Sequence, residues 1–82
     1  MNKILNANIN GFVFPIDEGA YEQLKMYLDQ LRSGIQDAEV YQDIENRIAE
    51  LFNYKLKTGK QAIFESDVND IILQVGSVDE LV

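Results

Sequence analysis

The chain has no cysteine, no histidine, no tryptophan and a single proline among its 82 residues. Without cysteine it can form neither a disulfide nor a thiolate metal site, a composition that suits a reducing compartment. Without histidine it lacks the side chain most used for proton transfer near neutral pH and the commonest transition-metal ligand. Cations are also scarce. Seven Lys and Arg, scattered along the chain, stand against fourteen Asp and Glu, for a net charge of −7. Phosphate backbones and anionic headgroups are bound by clustered cations, so direct contact with nucleic acid or lipid is disfavoured and a basic protein surface is the better match. No apolar run approaches the ~18 residues that span a bilayer, and Met1-Asn2-Lys3-Ile4 lacks the apolar stretch of a secretion signal; the segment reads as soluble and unprocessed.

What remains is a folding composition. Hydrophobic residues make up 46% of the chain, with four Tyr and four Phe, enough for one core in a domain spanning 1–82. Asn10-Gly11 is the pair best able to take the positive φ angles of a type I′ turn, so the first sixteen residues read as a β-hairpin. With those two residues as the loop, Ile9 faces Phe12, Ala7 faces Phe14 and Leu5 faces Ile16, and all six share one side of the ribbon. Pro15 gives no amide hydrogen, which places its strand at an edge or its outward donor where none is needed. The apolar face of a two-stranded ribbon calls for a helical layer to cover it.

Asp17 is positioned to cap a first helix with an apolar stripe at Tyr21, Leu24, Leu28 and Leu31, stopped by Ser33-Gly34. A second helix is expected from about Asp37, burying Tyr41, Ile44, Ile48, Leu51, Phe52 and Leu56. The short connection makes the two an antiparallel pair. Ala62-Ile63-Phe64 is compatible with a short third strand. Ser66 is the expected cap of a third helix with Val68, Ile71, Ile72 and Val75 inward, ended by Gly76. Ser77-Val78-Asp79-Glu80 has the form of a capping box, the start of a further helix, so the natural polypeptide is expected to continue past Val82. The fold class is α+β, in the order ββαα(β)α.

Catalytic chemistry finds little support. Ser33, Thr58, Ser66 and Ser77 sit where capping or turn hydrogen bonding accounts for them. The carboxylate pairs Asp17 with Glu18, Asp43 with Glu50, and Asp67 with Asp70 fall at helix starts or on solvated helix faces. No calcium-loop or phosphate-cradling pattern is present, and no catalytic residue, cofactor site or metal site is assigned. The third helix offers Glu65, Asp67 and Asp70 where a DNA-reading helix needs Arg, Lys or Gln. Candidates for an interaction surface are Asp43, Glu45, Arg47 and Glu50 on the second helix, which fit a solvated face with an Asp43–Arg47 pair equally well. Tyr27 and Tyr54 join them as aromatic residues off the main apolar stripes.

Several stretches together resemble one family. They are Asn8-Ile9-Asn10-Gly11-Phe12-Val13-Phe14-Pro15-Ile16-Asp17-Glu18, Ala20-Tyr21, Leu24 to Leu31, Asp43-Ile44-Glu45-Asn46-Arg47-Ile48-Ala49-Glu50-Leu51-Phe52, and Asp67-Val68 to Gly76. These look like the N-terminal soluble domain of PspC-type (phage shock protein C) membrane proteins of Bacteroidetes. The run at 43–52 is the most specific part, and Pro15 departs from the polar residue or histidine expected in relatives. The resemblance implies a domain followed by a transmembrane segment, placed on the cytoplasmic face of the bacterial inner membrane. It also implies a non-enzymatic role in envelope-stress signalling and transcriptional regulation, acting on a protein partner or on downstream segments of the same polypeptide. The alternative is a free-standing acidic binding or inhibitor protein. Homo-oligomerisation is open at this level.

Overall fold

The computed structural model describes residues 3–81. Two strands come first, β1 (Ile4–Ile9) and β2 (Phe12–Asp17), followed by helices α1 (Glu18–Gly34), α2 (Ala38–Lys57) and α3 (Glu65–Val75) and a single turn, α4 (Val78–Leu81). The architecture is α+β, a hairpin covered on one face by helices.

The hairpin register is the one that the alternation of side chains dictates. Ile9 lies opposite Phe12, Ala7 opposite Phe14 and Leu5 opposite Ile16. Asn10 and Gly11 form the turn with φ of 55° and 89°, the left-handed pair that matches strand twist. The Asn8 side chain accepts a hydrogen bond from the Gly11 N–H at 3.0 Å. Ala7, Ile9, Phe14 and Ile16 are buried, whereas Phe12, on the same face at the turn end, is 43% exposed.

The third strand is reduced to one residue. Ile63 forms a parallel bridge to Ile16: its N–H donates to the Pro15 carbonyl at 2.9 Å, and its carbonyl accepts from the Asp17 N–H at 2.8 Å. Pro15 supplies the acceptor and Asp17 the donor, so the hydrogen that proline lacks is not called for.

Asp17 closes β2 and caps α1, its carboxylate accepting from the Ala20 N–H at 3.2 Å. The buried stripe of α1 is Ala20, Leu24, Tyr27 and Leu31, with Leu28 half-buried and Tyr21 toward solvent. It is therefore rotated by about half of one residue's turn from the stripe expected from sequence. Asp37 caps α2 by accepting from the Glu39 N–H at 2.9 Å, and Tyr41, Ile48, Ala49 and Phe52 are buried. Phe52 stacks at a tilt on Phe14 across the layers, ring centres 5.1 Å apart. Each such fully buried side chain contributes roughly 1.5–3 kcal/mol against the entropy of ordering the chain.

Helix α3 packs against both α1 and α2. It begins two residues earlier than a Ser66 cap would set. Phe64 is the capping residue and its N–H donates to the Asp67 carboxylate at 2.9 Å, so Asp67, not Ser66, fixes the helix start. Ser66 lies exposed in the first turn. The capping box at Ser77 forms in both directions: the Ser77 N–H donates to Glu80 Oε1 at 3.1 Å, and the Glu80 N–H donates to Ser77 Oγ at 3.3 Å. Those bonds, from the Ser77 backbone first, hold the Glu80 carboxyl below the usual range.

Candidate interaction surface

Four of the exposed residues of α2 form a stripe. Asp43, Arg47, Glu50 and Tyr54 follow one another at spacings of four, three and four, which on a helix places them on one face. All four are exposed, Tyr54 at 68%. Between them the same run sends Ile44, Ile48, Leu51 and Phe52 inward, where they are buried or half-buried. One ten-residue segment thus carries core packing on one side and charge on the other. The expected Asp43–Arg47 ion pair does not close within 4.0 Å, so both charges stay with solvent.

Two of the six residues singled out from sequence lie elsewhere. Glu45 is half-buried on the inner flank of α2 and borders a cleft beside β1. Tyr27 is 5% exposed and its hydroxyl donates to the Gly76 carbonyl, so it anchors the core and is no surface contact. The cause is geometric: position 27 stands three residues beyond Leu24 and four before Leu31, on the buried stripe itself. Burial, then the Glu80 charge, pushes its phenol above the ordinary value.

Between α2 and α3 runs a groove of about 480 Å³ lined by Leu51, Tyr54, Lys55, Asp70, Ile71 and Gln74. Lys55 closes one end. Its Nζ lies 2.9 Å from Asp70 and 3.5 Å from Asp67, and Lys60 adds a second ion pair to Asp67 at 3.1 Å. The hydrogen bond to Asp70 is the main reason that the Lys55 ammonium is held above its ordinary pKa. Asp67 is 4% exposed. Burial pushes its carboxyl up, but the Phe64 N–H, Lys60 and Lys55 together outweigh that and hold it below the usual range. A signal for Lys55 was present in the sequence, since it falls at the i+4 and i+3 positions from Leu51 and Phe52, on the inner side of the helix.

A smaller cleft, about 220 Å³, lies where β1, α1 and α2 meet. Ala7, Ile9, Leu24 and Leu28 line it together with Asn8, Tyr21, Lys25, Asp29, Arg32 and Glu45. Tyr41 is buried nearby and accepts a hydrogen bond from Arg32 Nη2 at 3.3 Å, with the guanidinium 5.2 Å from its ring centre. Burial first, then the Glu45 charge, raises the Tyr41 phenol despite Arg32.

The groups weighed for catalysis act locally. Thr58 Oγ1 donates to the Lys55 carbonyl at 2.6 Å and Ser77 Oγ caps α4. Asp67 and Asp70 share Lys55, and Asp43 and Glu50 face solvent. Among the described residues, no three His, Cys, Asp or Glu side chains gather as a metal site, and no helix is long and apolar enough to cross a membrane. Compared with family models, with curated proteins and with solved structures, the chain finds no match.

Proposed function

We propose that this chain is a non-enzymatic regulatory domain that works through protein contacts made by the outer face of α2. The observation that carries the reading is the stripe Asp43, Arg47, Glu50 and Tyr54, exposed on the helix whose other side holds the core. An exposed tyrosine among charges has the make-up of a contact surface, because an aromatic ring supplies area at little entropic cost and carboxylates steer a basic partner.

The setting is the one implied by the resemblance to PspC-type proteins: envelope-stress signalling at the cytoplasmic face of the bacterial inner membrane. A protein partner, or a downstream part of the same polypeptide, receives the contact, and transcription responds through that partner. The run at 43–52, the most specific part of the resemblance, is also the segment that joins the core side of α2 to this face.

Affinity capture from cells of the source organism tests it, with the wild type run beside Asp43→Lys/Glu50→Lys and beside Leu73→Lys as a control on the exposed face of α3. The double charge reversal is expected to lose a specific partner that the control keeps. Identical partners for all three proteins would refute the α2 surface.

A further inference from the structure

The two edges of the hairpin differ. On the β2 side, the outward groups of Pro15 and Asp17 are taken by Ile63. On the β1 side, no outward backbone bond is found among the described residues. The closing pair of a two-residue hairpin is hydrogen-bonded and the pairs alternate from there, so Ile9, Ala7 and Leu5 bond to β2 while Asn8, Asn6 and Ile4 turn their N–H and C=O groups outward. Three bonds agree with this phase: Pro15, opposite Asn6, accepts from Ile63 on its outer side, Asp17, opposite Ile4, donates to Ile63 on its outer side, and Glu18 donates inward to Lys3. The outward backbone groups of Asn6 and Asn8 have no partner among the described residues.

Exposed edges are normally blunted by lysine, proline, a bulge or an inward charge. The six residues of β1, Ile-Leu-Asn-Ala-Asn-Ile, contain none of these. Beside the edge lies the smaller cleft, with Lys25, Asp29, Arg32 and Glu45 on its rim. None of these four closes an ion pair with another of the described residues. Two cations and two anions balance there, in a chain whose net charge is −7.

We infer that the free edge of β1 is a pairing surface for a second copy of this chain, the two β1 strands running antiparallel so that the hairpins join into one four-stranded sheet. A two-fold axis normal to the sheet keeps both helix layers on the same side, and the inward residues Leu5, Ala7 and Ile9 of one copy meet inward residues of the other. The two clefts then face each other across the seam, and the rim cations of each copy find the rim anions of its mate. An unrelated partner of one charge sign would satisfy only half of either rim. This balance also makes the β1 side a place where a second acidic chain is not repelled. The pairing goes beyond the function proposed above and leaves the outer face of α2 free.

Edge pairing of this length buries less than the ~1,000 Å² of a tight interface, so a weak dimer is expected, with dissociation in the range of about 10 µM to 1 mM. Sedimentation across that range should show mass rising toward twice the 9.4 kDa of one chain. Asn6→Pro removes only an outward donor, and it should restore the monomer while leaving the circular dichroism unchanged; Leu73→Lys should leave the dimer intact. Hydrogen exchange on the wild type gives a second readout that needs no variant, because the Asn6 and Asn8 amides should gain protection as concentration rises. A monomer at every concentration overturns the inference, as does a dimer that survives Asn6→Pro, one lost on Leu73→Lys, or one without protection at Asn6 and Asn8.

Discussion

The hydroxyl of Tyr27, midway along α1, donates a hydrogen bond to the backbone carbonyl of Gly76, the residue that joins α3 to α4. One buried bond therefore ties three helices. Tyr27→Phe keeps the ring but leaves a buried carbonyl unpaired, at a cost of about 1–2 kcal/mol, which lowers Tm by roughly 4–8 °C for each kcal/mol in a domain of this size. The amides of Glu80 and Leu81, both bonded to the Ser77 carbonyl, should exchange faster in the variant than those of α2. The phenol's folded pKa is raised above its ordinary value by burial and by Glu80. Its contribution to stability is therefore complete below pH ~10 and is lost as pH rises through the folded value, a loss that the Phe variant should not show.

Gly76 itself accepts no side chain without strain. Its φ is 126° with ψ 148°, a region essentially confined to glycine, and a Cβ there would meet Leu81 Cγ at 3.2 Å. Gly76→Ala is expected to cost about 1–3 kcal/mol from backbone strain, with α4 displaced as well. Urea melts give the first quantity and exchange at α4 the second. Gly59→Ala is the comparison, because Gly59 also has positive φ but nothing lies within 4 Å of an added Cβ.

Much of this fold is legible in the chain because local signals agree. Asn10-Gly11 and side-chain alternation specify one register, and Asp17, Asp37 and Ser77 with Glu80 each mark a helix start that forms. The departures share a cause, which is that tertiary packing chooses between locally equivalent patterns. On α1 the stripes 21, 24, 28, 31 and 20, 24, 27, 31 have helical spacing alike. The second forms where α1 starts directly from β2, with the small Ala20 fully buried in the core and Tyr21 left toward solvent. Tyr27 then turns inward and drops out of the interaction surface. Glu45 drops out of the outer stripe because i, i+2 neighbours on a helix point in different directions. Ser66 and Asp67 both have cap chemistry, and the bridge at Ile63 fixes the preceding backbone so that Asp67 reaches Phe64 first. The unpaired edge of β1 and the balanced rim beside it were beyond reach, since both depend on which elements the fold leaves uncovered.

Asp67 should govern part of the acid limb of stability. Its carboxyl is held low by Phe64, Lys60 and Lys55 against the opposing effect of burial. A depressed folded pKa contributes stability that is present above the unfolded value of ~3.9 and fades as pH falls through the folded value. Asp67→Asn keeps an oxygen for the Phe64 N–H yet loses the charge, so it is expected to cost about 1–3 kcal/mol at neutral pH and to flatten the stability profile below pH ~4. Equal slopes for wild type and variant across that range would show that another carboxylate sets the limb.

The two lysines that meet Asp67 should separate two effects. Lys60 stands closer to the carboxylate, at 3.1 Å against 3.5 Å for Lys55, and comes ahead of it among the groups that hold the Asp67 pKa down. Lys55, with 17% of its side chain exposed, bonds Asp70 as well and so fastens α2 to α3, whereas Lys60 is 40% exposed and among the described residues pairs with Asp67 alone. Lys60→Met is therefore expected to raise the Asp67 pKa more, moving the acid transition toward neutral pH and lowering stability at pH 7 by the amount linked to that rise. Lys55→Met should raise the Asp67 pKa less and yet cost about 1 kcal/mol at pH 7 beyond what that smaller rise accounts for, because a bond across two helices is gone. Carboxyl titration by NMR, paired with urea melts of both variants, reads the two quantities independently. A single ranking of the lysines in both measurements would mean that charge alone, and not the link between helices, is what Lys55 contributes.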